Sequence, residues 1–134
     1  MKDEHAAVEQ VIRAVDNAWS QNDLEGMVAL FAQDATLESP LVPRLLNRKE
    51  GVCRGRDEIR DVIRGLMLRG RPWGGHEPPI IQGNRVAIEF RRPSSEGEQL
   101  YSVDVIEIVD GRIQSLRAYT GWRAVAAQSG EGRG

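Results

Sequence analysis

Val103-Asp-Val-Ile-Glu-Ile-Val-Asp-Gly-Arg-Ile113 is the stretch that decides the fold. Its first part is dominated by β-branched residues, which favour strands, and an Asp110-Gly111 hairpin signal follows. Apolar residues resume at Ile113. We therefore predict two antiparallel strands, one from Leu100 to Val109 and the other from Ile113 to Trp122.

Two more strands are predicted upstream of this hairpin. Val86, Ile88 and Phe90 alternate with other residues, which is the period of a strand. Gly83-Asn84 predicts the turn before them, and Glu77 to Gln82 forms a weaker strand. The second half of the chain therefore predicts an antiparallel sheet.

The first half predicts helices and one short strand. Apolar residues from Val8 to Trp19 recur at steps of three and four, as on one face of a helix. Asn22 resembles the cap of a second helix, which carries Phe31 inward, and a third helix starts near Asp57 and stops at 70–75. The segment 34–40 predicts a strand ended by proline, whereas Leu41 to Arg54 is expected to be irregular.

This order of elements predicts an α+β domain in which helices cover one face of a curved sheet. No repeat or linker divides the sequence, so we expect a single domain over residues 1–125. The Gly-rich residues 126–134 are expected to form a disordered tail.

Composition excludes several classes of function. The 134 residues carry a net charge of -2, which leaves no broad basic face for nucleic acid. Cys53 is the only cysteine, so neither an internal disulfide nor a cysteine-rich metal site is expected, and two histidines argue against a metal held by several imidazoles. No apolar run has the length of a membrane span, and the polar N-terminus resembles no secretion signal. A cytoplasmic protein is the resulting expectation.

Three segments together resemble the nuclear-transport-factor-two-like cone fold, and within it the SnoaL-like polyketide cyclases and the ketosteroid isomerases. They are residues 22–40, residues 55–60, and residues 103–113 with the following Arg117-Ala-Tyr119. The resemblance implies a cone of three N-terminal helices on a strongly curved mixed or antiparallel sheet, with an apolar pocket between them. It implies no metal or organic cofactor.

The resemblance carries over only one of the three catalytic positions of the isomerases. Their base falls at Ser39 and their tyrosine at Val15, so both groups are absent here. Their protonated aspartate falls at Asp104, which is retained. Limonene epoxide hydrolases, which are similar in fold, need residues that are replaced here by Ser102 and Ala118. Ordinary steroid isomerisation and epoxide hydrolysis are therefore both disfavoured.

Asp104 is the best catalytic candidate. Strand alternation puts it on one face with Ser102, Ile106 and Ile108, where loss of water would raise its pKa towards a value suited to proton transfer. The alternative is an aspartate paired with an arginine or a backbone amide.

His76 and Ser39 are the other polar candidates. His76 is an auxiliary catalytic candidate that can shuttle a proton near the cavity mouth, or it is an exposed loop histidine. Ser39 can orient a ligand oxygen or simply bond its neighbouring backbone.

Four apolar side chains are predicted to pack the ligand: Trp19, Phe31, Leu116 and Trp122. Plain core packing is the alternative for each of them. Arg44 to Arg56 is rich in arginine and can cap the cavity, although such a run is more often solvated or bridges subunits.

Val103, Val105 and Val109 make the second face of the sheet apolar as well. An antiparallel sheet that is apolar on both faces needs both covered, and helices cover only one. We therefore expect a homodimer joined through the convex sheet face.

These features predict a SnoaL-like enzyme that moves a proton on an apolar, ring-containing carbonyl compound, as an isomerase, cyclase or lyase does. A non-catalytic binding or interaction module with the same pocket is the alternative. A nuclear transport adaptor is disfavoured because no acidic patch is clustered in the sequence.

Overall fold

The computed structural model describes residues 2–69, 76–94 and 96–123. Four helices, α1 (Lys2–Ser20), α2 (Leu24–Ala29), α3 (Val42–Leu46) and α4 (Gly55–Leu68), combine with six strands. The strands are β1 (Phe31–Glu38), β2 (Val52–Arg54), β3 (Ile80–Gln82), β4 (Arg85–Pro93), β5 (Gln99–Val109) and β6 (Arg112–Thr120). The predicted 126–134 tail and the 70–75 helix stop lie outside the described residues.

The strands form one mixed sheet in the order β2-β1-β6-β5-β4-β3. Only the pairing of β1 with β6 is parallel, and the Asp110-Gly111 hairpin joins β5 to β6 as predicted. Strands β2 and β3 are its two edges, so the sheet of the described strands is not closed. The predicted α+β class, with helices packed on a curved sheet, is confirmed.

The core lies between the helices and the concave face of the sheet. The predicted stripe of α1 is buried there through Val8, Val11, Ile12 and Val15. These side chains meet the inward residues of the sheet in a single apolar cluster. The amphipathic pattern of the helix therefore fixes which side of the sheet it covers.

Residues 41–54 are more regular than predicted. Pro43 lies in the first turn of α3, where its fixed φ suits a helix, and Asn47 ends that helix with a φ of 53°. Val52–Arg54 pairs antiparallel with the end of β1 and opposes Leu37 with Cys53. Elements this short carry too few residues for a period to show in the sequence.

Two local predictions at α2 are corrected. Asp23, not Asn22, caps the helix, because its carboxylate accepts a hydrogen bond from the Gly26 amide at 2.9 Å. Asn22 instead takes a left-handed turn conformation with a φ of 52°. Phe31 is buried as predicted, but it begins β1 rather than ending the helix.

Candidate functional site

A pocket of about 170 Å³ opens between helices α1, α2 and α4 and the concave face of the sheet. Its walls are mainly apolar, with Trp19 from α1, Met27 from α2 and Leu66 from α4 on the helical side. The volume is close to that of a cavity that holds one benzene ring, and the open side leaves space for a longer molecule. The described parts of the chain thus form a mainly apolar pocket with room for a ring of that size.

The pocket floor is built from successive rungs of the sheet. One rung joins Ile88, Asp104 and Ala118 across β4, β5 and β6. The next rung outward joins Phe90, Ser102 and Thr120. Because alternate residues of a strand share a face, the side chains of Asp104, Ser102 and Thr120 all point into the pocket.

Asp104 is the only carboxylate among the described residues that line the pocket. No hydrogen bond or ion pair to another described residue satisfies it, and its cross-strand neighbours are the apolar Ile88 and Ala118. Burial raises its pKa from 3.8 to about 7, because the charged form loses water without gaining a partner. Both the acid and its conjugate base are therefore populated near neutral pH.

Ser39 also lines the pocket, just after β1 ends. Its hydroxyl oxygen accepts a hydrogen bond from the Leu41 amide at 3.2 Å. This contact uses the oxygen as an acceptor, so the hydroxyl proton can still be donated to a ligand. The structure thus combines the two readings of Ser39, a local backbone bond and a position on the pocket.

Trp19, Phe31 and Leu116 all line the pocket, where the sequence places them. Phe31 and Leu116 also belong to the core cluster, so these two side chains pack in the core and line the pocket at the same time.

The structure corrects the location of Trp122. This side chain is 75% exposed and lies outside the pocket, with the Arg123 guanidinium 4.7 Å from its ring centre. Strand β6 ends at Thr120, and the backbone becomes helical at Trp122. The alternation that predicted an inward side chain therefore stops two residues earlier.

His76 lies outside the pocket as well. It lines a separate cavity beside α1, where its Nε2 lies 2.9 Å from Asp16 Oδ1 and its Nδ1 lies 2.8 Å from the Glu77 carbonyl oxygen. Its ring packs edge-on against Phe90 at 5.5 Å between centroids, and Phe90 is a wall of the pocket. The contacts of His76 are therefore those of a structural link between α1 and β4.

Sequence reasoning missed several pocket residues, of which Phe90 and Arg92 are the most informative. The alternation of Val86, Ile88 and Phe90 predicts a strand, but it does not by itself show that Phe90 lines the pocket. Extending the same alternation by one more step reaches Arg92, which also lines the pocket. A charged residue at the end of an apolar pattern usually lies on the surface, so the sequence alone does not favour a pocket position for Arg92.

Metal and thiol chemistry receive no support from the described part of the chain. No group of three or more His, Cys, Asp and Glu side chains lies there in an arrangement for a metal ion. Cys53 is fully buried, and desolvation raises its pKa to about 11, which disfavours the reactive thiolate. None of the helices in the described ranges is both long and apolar enough to cross a membrane.

The family follows from residues 11–116, which match the model of the SnoaL-like domain. The chain belongs to the SnoaL-like domain family. A relative of this SnoaL-like domain is the steroid Delta-isomerase of Nocardioides simplex, which is 29% identical over 102 residues. That match covers 69% of this chain and 72% of the relative.

Solved structures show the same fold. A SnoaL-like protein of unknown function from Burkholderia thailandensis superposes with a TM-score of 0.69 at 20% identity, covering 87% of this chain and 96% of its own. TerC, co-crystallised with polyporic acid, superposes with a TM-score of 0.68 at 20% identity, covering 90% of this chain and 96% of its own. Nuclear-transport-factor-two-like and cystatin-like proteins are among the other structural neighbours, which agrees with the predicted fold.

Proposed function

We propose that this SnoaL-like domain is an isomerase or cyclase that moves a proton on an apolar, ring-containing carbonyl compound, with Asp104 as its acid and base. The observation that carries the proposal is a carboxyl group without a hydrogen-bond partner among the described residues, in an apolar pocket that is open to a ligand. A polar group left unsatisfied beside such a pocket is costly, and a ligand oxygen or acidic C–H would give it a partner.

The pKa of Asp104 suits this chemistry. An efficient general acid or base has a pKa near the working pH, and desolvation brings this carboxyl to about 7. The anionic form takes a proton from the carbon next to the ligand carbonyl and leaves an enolate. Where the substrate is β,γ-unsaturated, the enolate is a dienolate, and the neutral Asp104 returns the proton to its γ-carbon, which moves the double bond into conjugation with the carbonyl. In a cyclase, the enolate carbon attacks a second carbonyl carbon instead, and Asp104 delivers the proton to the resulting alkoxide.

The hydroxyl groups of the pocket supply hydrogen bonds for the enolate oxygen. Ser102 and Thr120 face each other on the rung next to Asp104, and Ser39 can donate from its position after β1. Donors fixed around a developing oxyanion stabilise the transition state more than the neutral carbonyl. The resemblance places a carboxylate base at Ser39 and a tyrosine donor at Val15 in the ketosteroid isomerases. This chain therefore has to bind and orient its substrate with different side chains from those of the ketosteroid isomerases.

Deuterium exchange tests the proposal without knowledge of the natural substrate. Cyclohexanone and β-tetralone in D₂O should exchange their α-hydrogens faster with the protein than with buffer alone, and NMR measures the rate. The rate should rise with pH through an inflection near 7, because the base is the anionic form. Asp104→Asn should lose the enhancement while retaining the wild-type circular dichroism spectrum and a cooperative melting transition at or above the wild-type temperature. Asp110→Asn, at the exposed hairpin, is the matched control and should keep it.

Absence of any enhancement with either ketone, or full exchange activity in Asp104→Asn, would contradict an enzymatic role for Asp104. A non-catalytic binding module is the second candidate. It is favoured by one observation: no second carboxyl group and no imidazole lines the pocket in the described residues. Binding of the two ketones without exchange would support that candidate.

A further inference from the structure

Arg92 is a pocket residue that the chemistry of Asp104 does not use. It is half-buried, lies on the same face of β4 as Ile88 and Phe90, and lines the pocket. No carboxylate or carbonyl oxygen among the described residues binds its guanidinium. Its neighbour Arg91 differs, because Glu77 and Glu89 each approach that guanidinium at 3.1 Å. Arg92 is therefore a cation without an anionic partner among the described residues, at the wall of a mainly apolar pocket that Arg91 also lines.

The sheet register fixes where this cation lies relative to Asp104. Arg92 opposes Leu100, whereas Asp104 opposes Ile88, four residues earlier on β4. At the rise of a strand, four residues separate the two backbone positions by roughly 13 Å. The two residues therefore start from separate positions along the pocket wall, and no ion pair joins the Arg92 guanidinium to Asp104.

The charges in the pocket favour an anionic ligand. Arginine presents parallel donors that match a planar carboxylate, and such charge-assisted pairs are strong where water is partly excluded. Asp104 is the single acidic side chain lining the described pocket, and desolvation keeps it protonated in a large fraction of molecules at neutral pH. A negatively charged ligand therefore meets little repulsion inside.

We propose that the ligand of this pocket is a ring compound that carries a carboxylate, with the carboxylate bound by Arg92 and the ring seated beside Asp104. The inference rests on the proposed function in using the same pocket, and it names the class of compound that this pocket selects. It makes Arg92 a specificity-determining residue. The ring fills the roughly 170 Å³ space, and a short chain reaches towards the cation.

Hydrocinnamate and hydrocinnamamide form a matched pair of probes, since they share the phenyl ring and chain and differ only in the charge of the end group. Isothermal titration at low salt measures the affinity of both for the wild-type protein. We expect hydrocinnamate to bind at least about tenfold more tightly than the amide. Added salt should weaken the binding of the acid and leave that of the amide unchanged.

Arg92→Gln should remove the preference for the acid and leave the affinity for the amide within about twofold. Arg92→Lys should keep part of the preference, because the charge remains and the planar fork is lost. Arg85→Gln removes the same charge from the same strand at an exposed position outside the pocket, so it should bind both probes like wild type.

The proposal is wrong if wild type binds both probes equally or neither of them, or if Arg92→Gln retains the preference in a variant with an unchanged melting transition. These outcomes are separate from the exchange test of Asp104. Loss of exchange in Asp104→Asn together with an unchanged probe preference in Arg92→Gln would support the proposed reaction and reject the ligand class. The reverse combination would support the ligand class and reject the reaction.

Discussion

Burial of Asp104 destabilises the folded state. It also gives the pocket a reactive group. Its folded-state pKa of about 7 lies above its ordinary 3.8, so the folded protein holds this proton more tightly than the unfolded chain does. By linkage, the free energy of unfolding falls as pH rises from about 4 and levels off above the folded-state value. Functional groups are commonly kept at such a cost in stability.

Asp104→Asn should therefore stabilise the protein at pH 8 by up to about 4 kcal/mol and change its stability little near pH 4. Denaturant unfolding across this pH range measures the difference. Asp110→Asn makes the same chemical change at an exposed hairpin residue and should give no such pH-dependent gain. Parallel pH profiles for wild type and Asp104→Asn would mean that the carboxyl is well solvated.

At this scale the sequence predicts side chains in regular strands well and those at strand ends poorly. The period of two placed Asp104 on the pocket face because β5 continues for several residues on both sides of it. Trp122 was misplaced because it lies two residues beyond the end of β6. Arg92 continues the alternation of β4 at the end of the strand, where a charged side chain gives no signal in the sequence for a pocket position.

His76 and Asp16 show how one pair joins two elements far apart in sequence. His76 contacts the Glu77 carbonyl and the Asp16 carboxylate, and neither of these groups has a proton to donate. The imidazolium form of His76 therefore donates a hydrogen bond from each ring nitrogen. Burial lowers the pKa of His76, but these hydrogen bonds outweigh burial and the net pKa is raised. No periodicity in the sequence could have paired residues 60 positions apart.

The raised pKa of His76 gives the link a defined pH dependence. Its stabilisation is fully present below the ordinary histidine value of 6.5 and is lost as pH rises through the folded-state value. Asp16→Asn should therefore lower the free energy of unfolding by about 1 kcal/mol at pH 5.5 and by clearly less at pH 8.5. Asp61→Asn, which removes an exposed partner of Arg64, should give the same small change at both pH values. An Asp16→Asn effect that does not vary with pH would contradict the charged link.

The start of α2 gives a second prediction for a single element. Asp23→Ala removes the side chain that binds the Gly26 amide and should destabilise the protein by about 1 kcal/mol. Asp23→Asn keeps an oxygen at the cap and should cost much less. Thermal unfolding of the two variants measures the difference, and equal losses would show that the cap contributes little.

Strand β5 contributes side chains to both faces of the sheet. Asp104 faces the pocket, whereas Val103 and Val105 face the convex side, next to the exposed Tyr101 and Tyr119. The register places Val103 directly beside Tyr119, and Glu89, Arg91 and Arg117 are among the other cross-strand neighbours of these residues, so the face combines apolar and charged side chains. The described helices pack on the concave face, and among the described residues Tyr101 and Tyr119 are exposed on the convex face.

We expect this convex surface to join two copies of the chain. Sedimentation should show a dimer at micromolar concentration, and Tyr119→Lys should raise its dissociation constant at least about tenfold by placing charge in the interface. Leu68→Lys is the control, since Leu68 is 82% exposed and lies on α4, away from the sheet. A stable wild-type monomer at this concentration would contradict the dimer.

Asp104 is expected to hold or release a proton near neutral pH inside the pocket. The most direct measurement is a carboxyl ¹³C NMR titration of the protein, with Asp104→Asn used to assign the signal. We predict a midpoint of about 7 for Asp104. A midpoint near 4 would show a solvated or paired carboxylate, and it would contradict the account of this pocket as a site of proton transfer.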